Sequence, residues 1–223
     1  GVVGTAVGLG AGGQPVVKVY TESARVPGIP NRLNGVPVEV EVTGALVAQT
    51  HALTRPSPIG VSTGSERLII YRKQYYCTVG TLGARVTDGT NVYALSNAHV
   101  YALQGSKTDG AVQVGANGDR MLQPGRVDMT EAACGSQHEI TTNVIGRLWD
   151  YEPIVISRTA QNRIDTAIAL VSVNDVGTSA PSYGTPNIAT ALATLGLSVQ
   201  KHGRTTGLTS GSVTGVNATV LIT

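Results

Sequence analysis

Phenylalanine is absent from this 223-residue chain and there is a single tryptophan, so a core has to be built from aliphatic side chains. Charged residues make up only 13% of the chain, which excludes a disordered protein with an acidic or basic tail. The net charge of +2 includes no cluster of Lys and Arg, so the chain lacks the charge pattern of a nucleic-acid-binding protein. No uninterrupted apolar run is long enough to span a bilayer. We therefore expect a folded protein that binds neither nucleic acid nor membrane.

Cysteine is also scarce, with only Cys77 and Cys134 in the chain. One disulfide between them would suit an oxidising compartment, whereas two buried thiols fit the same pattern equally well. The sequence starts at Gly1 without a charged and apolar leader, as in a processed or recombinant form. We expect an extracellular or secreted protein, with a cytoplasmic one left open.

What the chain does contain favours short strands joined by tight turns. Glycine (28 residues) and proline (10 residues) are abundant, and most apolar residues are Val, Ile, Leu and Ala. Residues 1–62 predict a small α/β module with its linker, and residues 63–223 predict a second domain. In the module, β-like runs flank a Gly-rich turn at 10–15, residues 27–34 leave room for a short helix, and 36–42 alternate as a half-buried strand does. The Pro-containing stretch 54–60 is typical of a linker.

From about residue 67 onward, aliphatic runs alternate with Gly, Asn and Asp turns at the spacing of an all-β barrel or sandwich. The long Gly- and Asp-rich stretch 104–136 predicts a surface loop. The candidate strands are 78–86, 91–96, 144–148, 164–171, 191–202 and 211–222.

The first candidate for chemistry is His99, which follows a predicted strand that ends in small residues. A lone histidine is more often structural than catalytic, so this segment alone does not decide its role.

The second candidate is Asp165, which comes just before a fully apolar predicted strand. A carboxylate at the edge of a core has lost much of its hydration and needs a partner. The imidazole of His99 would supply one, since an Asp that fixes the tautomer of a His makes that His a general base. The alternative is that Asp165 caps a turn or pairs with Arg163.

Three ordered sequence blocks resemble those of trypsin-like serine proteases. The block Tyr-Ala-Leu-Ser-Asn-Ala-His-Val (93–100) is similar to the one around the catalytic histidine, and Asp-Thr-Ala-Ile-Ala-Leu-Val (165–171) to the aspartate block. Residues 201–214 are similar to the opening of the second β-barrel, and the resemblance covers roughly residues 75–223. Within the superfamily, the chain most resembles bacterial members that carry a short N-terminal α/β module.

This resemblance implies a mainly β, chymotrypsin-like double β-barrel behind a small α/β module. It also implies His99 as the general base, Asp165 as the residue that orients it, and a protein or peptide as substrate.

The family's nucleophile block, Gly-Asp-Ser-Gly, does not occur in the sequence. We therefore expect an incomplete second barrel and a serine endopeptidase whose serine lies in a missing C-terminal segment, either a separate processed chain or a piece lost by truncation. Its own C-terminal fragment would then be a partner, and this chain alone would be inactive. The alternative is an inactive protease homologue that serves as a structural or self-assembling binding module, a homo-oligomer formed through the open sheet edge near 213–222.

Other candidate sites are weaker. Ser62 lies in a Gly-x-Ser-x-Gly pattern, but prolines precede it and no helix is predicted after it, so we do not expect a nucleophile elbow. The serines at 179, 210 and 212 are interpreted as solvated turn residues. The glycines at 8–13 mimic a dinucleotide fingerprint without a following helix, and Asp109, Asp119 and Asp128 match no calcium loop. We expect neither a cofactor nor a metal.

Overall fold

The computed structural model describes residues 1–10, 13–42, 54–104, 112–157 and 159–217. The chain divides into two compact units, Gly1–Ala48 and Gln49–Thr223. Both are built mainly from β-strands, as the composition predicts. The strands of the first unit are β1 (Val2–Leu9), β2 (Pro15–Thr21), β3 (Arg32–Leu33) and β4 (Val36–Val42).

The first unit is one sheet in the order β1-β2-β4-β3. Strands β2 and β4 run parallel, and the other neighbours are antiparallel. The alternation in β4 puts two glutamates on one face, where Lys18 Nζ lies 3.5 Å from Glu39 and 3.8 Å from Glu41. The hairpin predicted around the Gly-rich turn is confirmed, although residues 11 and 12 of that turn lie outside the described residues.

The helix predicted at 27–34, and with it the α/β character of this module, is wrong for the part of the unit that the structure describes. Residues 32–33 form β3, and residues 1–10 and 13–42 contain no helix. Gly28 takes a φ of +86°, and Pro27 and Pro30 disfavour the helical region for the residues before them. The chain therefore turns at this point and continues into a strand.

The second unit contains eleven strands and two short helices within the described ranges. They are β5 (Ser62–Ser65), β6 (Ile69–Tyr71), β7 (Gln74–Tyr76), β8 (Gly80–Thr81), β9 (Ala84–Thr87), β10 (Val92–Ser96), α1 (Ala98–Tyr101), β11 (Arg120–Leu122), α2 (Gln137–Thr142), β12 (Val144–Tyr151), β13 (Ala167–Val171), β14 (Ser198–Gly203) and β15 (Gly207–Ser212). Two 3-10 turns, Gly115–Asn117 and Arg126–Asp128, flank β11.

Seven of these strands form one antiparallel sheet in the order β8-β5-β11-β12-β13-β10-β9. The sheet curls into a half-barrel. Its two edge strands, β8 and β9, are consecutive in the chain, so the short connection between them keeps the two edges of the sheet close together. Between them, Leu82 N donates to Val61 O at 2.8 Å and Gly83 N donates to Leu95 O at 2.8 Å. The interior of the curl is aliphatic, as the lack of phenylalanine requires, with fully buried side chains such as Leu82, Met121 and Leu148.

Two stretches that the sequence predicts as a surface loop and a linker are packed into the second unit. The surface loop predicted at 104–136 is wrong at its centre, because β11 is an inner strand whose Met121 and Leu122 are fully buried. The linker predicted at 54–60 belongs to the second unit, where Ser57 N donates to Asp175 O at 2.8 Å. Arg55 also reaches Gln123 Oε1 at 2.5 Å, and this contact closes a long loop.

The predicted strands 91–96, 144–148 and 164–171 correspond to β10, β12 and β13. The last two predicted strands are shifted in the structure, since β14 and β15 form a separate hairpin at Ser198–Gly203 and Gly207–Ser212. Residues 218–222 of the final predicted strand lie outside the described residues. Cys77 and Cys134 form a disulfide, which decides the alternative that their spacing left open. Among the described residues, the helices are all too short or too polar to cross a bilayer.

Candidate functional site

His99 is delivered by the end of an inner strand. Strand β10 ends at Ser96, and the four-residue helix α1 begins two residues later at Ala98. Three of the four helix residues are buried, and Tyr101 OH lies 3.0 Å from Thr63 Oγ1 in the interior. The helix is therefore anchored by its other side chains, and the side chain of His99 is left 57% exposed.

Asp165 reaches this helix because β10 and β13 are antiparallel neighbours. Their pairing ends at Ser96 opposite Ala167, with Leu95 opposite Ile168. A residue that follows β10 and a residue that precedes β13 must then lie at the same edge of the sheet. Asp165 is two residues upstream of β13 and His99 is three residues downstream of β10, so the register brings them together.

The two candidate residues are in direct contact through both carboxylate oxygens of the aspartate. His99 Nδ1 lies 2.5 Å from Asp165 Oδ2. The backbone N–H of His99 donates to Asp165 Oδ1 at 3.2 Å. Asp165 is 35% exposed, and within the described ranges it makes no ion pair with Arg163, the alternative partner. The contact predicted between His99 and Asp165 is present in the structure.

This arrangement determines which ring nitrogen is free. Because Nδ1 faces the carboxylate, the neutral ring is expected to carry its proton there, and Nε2 is left as an acceptor. Nε2 is not hydrogen bonded to any residue that the structure describes. An imidazole oriented in this way and open to solvent can accept a proton from a nucleophile and return it to a leaving group.

The chemistry of this site is inferred from its geometry and not from a match to a known protein. No family model and no curated protein matches this chain. The distances, the exposure and the hydrogen bonding of His99 and Asp165 therefore carry the functional interpretation.

Ser62 has no features of a nucleophile. It lies inside β5, is fully buried, and donates to Asp128 Oδ2 at 2.5 Å. Its Oγ also accepts a hydrogen bond from Gly125 N at 3.0 Å. A nucleophile elbow needs an exposed hydroxyl on a turn between a strand and a helix. Ser62 instead joins neighbouring segments of the half-barrel.

The other candidate serines are exposed and are not brought to His99 by any described contact. Ser179 lies in the loop after β13. Ser210 and Ser212 lie in β15, so the prediction that they occupy turns is wrong.

The candidate metal ligands are occupied by basic side chains. Asp119 Oδ2 accepts a 2.5 Å hydrogen bond from Arg67 Nε, and Asp128 is paired with Arg204. Asp109 lies outside the described residues. Within the described ranges, there is no group of three or more His, Cys, Asp or Glu residues that could hold a metal ion.

One residue at the site was missed by sequence reasoning. Asn97 Nδ2 donates to the backbone oxygen of Asp165 at 3.0 Å. Its position two residues before His99 was visible in the sequence, but an Asn at the start of a helix is ordinarily interpreted as a cap.

Proposed function

We propose that this chain carries the general base and the orienting carboxylate of a serine endopeptidase of the chymotrypsin-like superfamily. The observation that carries the proposal is the 2.5 Å contact between His99 Nδ1 and Asp165 Oδ2, made by a ring that is 57% exposed. A His–Asp pair with a purely structural role does not need an accessible second ring nitrogen, whereas a general base must present that nitrogen to a reacting group.

The fold supports the same proposal. The curled antiparallel sheet would be the first of two barrels, with His99 and Asp165 at the ends of the adjacent strands β10 and β13. The hairpin β14–β15 overlaps the block 201–214 that resembles the opening of the second barrel, which would be incomplete in these residues. The sequence supplies the family's His and Asp blocks in the family's order.

The proposed mechanism assigns one role to each residue. A serine Oγ attacks the peptide carbonyl while His99 Nε2 accepts the hydroxyl proton, and the same nitrogen then protonates the leaving amine. Asp165 holds the ring in the productive tautomer and stabilises the imidazolium. The serine, with the backbone N–H groups that would stabilise the oxyanion, belongs to a segment outside these 223 residues. The substrate class is a protein or peptide, and the reaction needs no cofactor.

The Cys77–Cys134 disulfide supports an extracellular or secreted location for this peptidase, because disulfides persist in oxidising compartments.

The proposal is tested on native purified material with a fluorophosphonate probe and intact mass spectrometry. We expect the probe to label a serine in a Gly-Asp-Ser-Gly sequence, on a co-purifying fragment or on an extended form of this chain. Loss of labelling in His99→Ala would support the base assignment, and Ser62→Ala is the matched control that should still be labelled. Labelling of a serine within residues 1–223 would contradict the proposal.

The second candidate is an inactive protease homologue that self-assembles. It is favoured by the hairpin β14–β15, which is a two-stranded sheet within the described residues, so each strand pairs on one side only. A homogeneous 22.9 kDa chain that is not labelled and that elutes as a defined oligomer would favour this candidate over the peptidase.

A further inference from the structure

Asn97 stands where a helix cap is expected but does not act as one. It occupies the N-cap position of α1, with φ −80° and ψ 149°. Asparagine is favoured there because its side-chain oxygen can accept a hydrogen bond from the first turn of the helix. Asn97 makes no such bond. Its amide Nδ2 instead donates to the carbonyl oxygen of Asp165 at 3.0 Å.

This bond fixes a part of Asp165 that the other contacts do not reach. The other two bonds from this helix go to the carboxylate, one from the His99 ring and one from the His99 backbone. Asp165 itself lies outside β13. The backbone contacts closest to it are the pairing of Ala167 with Ser96 and Tyr151, and the hydrogen bond from Glu152 N to Thr166 O at 3.0 Å. The carbonyl of Asp165 itself accepts its hydrogen bond from the side chain of Asn97, whereas the residues that follow are held by strand contacts.

We infer that Asn97 is a positioning residue, which acts through Asp165 to keep the carboxylate aligned with His99 Nδ1. This role rests on the proposed function, since alignment matters most where His99 is a base. Asn97 is exposed and its own side chain lies against the backbone of Asp165, so it contributes no group to the proton transfer.

Two substitutions separate positioning from helix capping. Asn97→Ala removes both the amide donor and any capping group. Asn97→Ser keeps a good capping group but is too short to reach the Asp165 carbonyl. The matched control is Asn174→Ala, which changes an exposed asparagine in the turn after β13.

The readout is the proton on His99 Nδ1 of the ¹⁵N-labelled 223-residue chain, observed by NMR together with the His99 backbone amide. We expect both Asn97 variants to accelerate exchange of these two protons with water by about fivefold, the factor that corresponds to one neutral hydrogen bond. Asn174→Ala should leave both rates unchanged. The fluorescence of Trp149 in β12 reports whether each variant is folded.

Unchanged exchange in both Asn97 variants would overturn the inference. Wild-type exchange in Asn97→Ser but not in Asn97→Ala would also overturn it, because capping alone would then explain the residue. Failure of the proposed function gives a different result: the two variants still accelerate exchange while the complete protein cleaves no peptide.

Discussion

The ion pair between Arg204 and Asp128 connects the hairpin β14–β15 to the half-barrel, and replacing Arg204 by Met should destabilise the second unit. Arg204 Nη2 and Nε donate to the two carboxylate oxygens of Asp128, Nε at 2.8 Å. The side chains are 18% and 5% exposed, and Ser62 Oγ donates to the same carboxylate at 2.5 Å. The hydrogen bonds to Asp128 raise the pKa of Arg204 above its usual value.

Arg204→Met removes the Arg204 cation from the buried Asp128 carboxylate. Breaking one side of a buried pair costs about 3 kcal/mol, and we expect the free energy of unfolding to fall by that amount. The double variant Asp128→Asn with Arg204→Met removes both charges and should recover about 1–2 kcal/mol of the loss.

The assay is urea unfolding followed by the fluorescence of Trp149, the only tryptophan, whose ring centroid lies 6.3 Å from that of Tyr93 in the half-barrel. Arg163→Met, at an exposed arginine, is the matched control and should change stability by less than about 0.5 kcal/mol. If Arg204→Met were as stable as this control, the ion pair would not hold the hairpin in solution.

Three further predictions follow from other contacts. Ser62→Ala should lower the free energy of unfolding by about 1–3 kcal/mol in the same urea assay, because Gly125 N and Asp128 lose a buried partner; an unchanged midpoint would contradict this packing. Reduction of the Cys77–Cys134 disulfide, which spans a sequence separation of 57, should cost about 2–4 kcal/mol and lower the melting temperature; identical melting with and without reductant would show that the bridge is not formed. Hydrogen bonds from Asn91 N–H, Thr90 N–H and Tyr93 OH lower the pKa of Asp88 to about 2. The ionised Asp88 carboxylate therefore stabilises the fold fully above the unfolded-state pKa of about 3.9, and this stabilisation is lost as the pH falls through 2. An NMR titration of Asp88 checks this, and Tyr93→Phe should raise its midpoint; a midpoint near 4 in the wild type would refute the assignment.

The run of aliphatic residues within each segment was sufficient to predict β10 and β13, the strands that position His99 and Asp165. β10 and β13 are aliphatic runs that end in small or polar residues, and His99 and Asp165 stand just outside them. Their contact also depends on the register of the two strands, which a single strand's sequence does not encode. The resemblance of the His99 and Asp165 blocks to those of trypsin-like serine proteases predicted that link, and the structure has the contact.

The features that were missed depend on contacts between distant segments. Ser62 and Arg204 meet Asp128 across 66 and 76 residues, so no spacing pattern connects them. β11 has only three residues, too few to show a period of two, and its burial comes from β5 and β12 on either side. Arg55 and Ser57 look like linker residues because of the neighbouring prolines, yet Gln123 accepts hydrogen bonds from both.

His99 and Asp165 are proposed to form a general base and its orienting carboxylate. The most direct measurement is the initial rate of peptide-bond cleavage by the complete protein, as wild type, His99→Ala and Asp165→Asn, on an unfolded protein substrate. We expect His99→Ala to abolish cleavage, with a loss of at least about 10²-fold, and to leave the Trp149 fluorescence unchanged. Asp165→Asn should be severe but smaller in effect, because it favours the wrong tautomer. Cleavage by His99→Ala at the wild-type rate would rule out His99 as the general base.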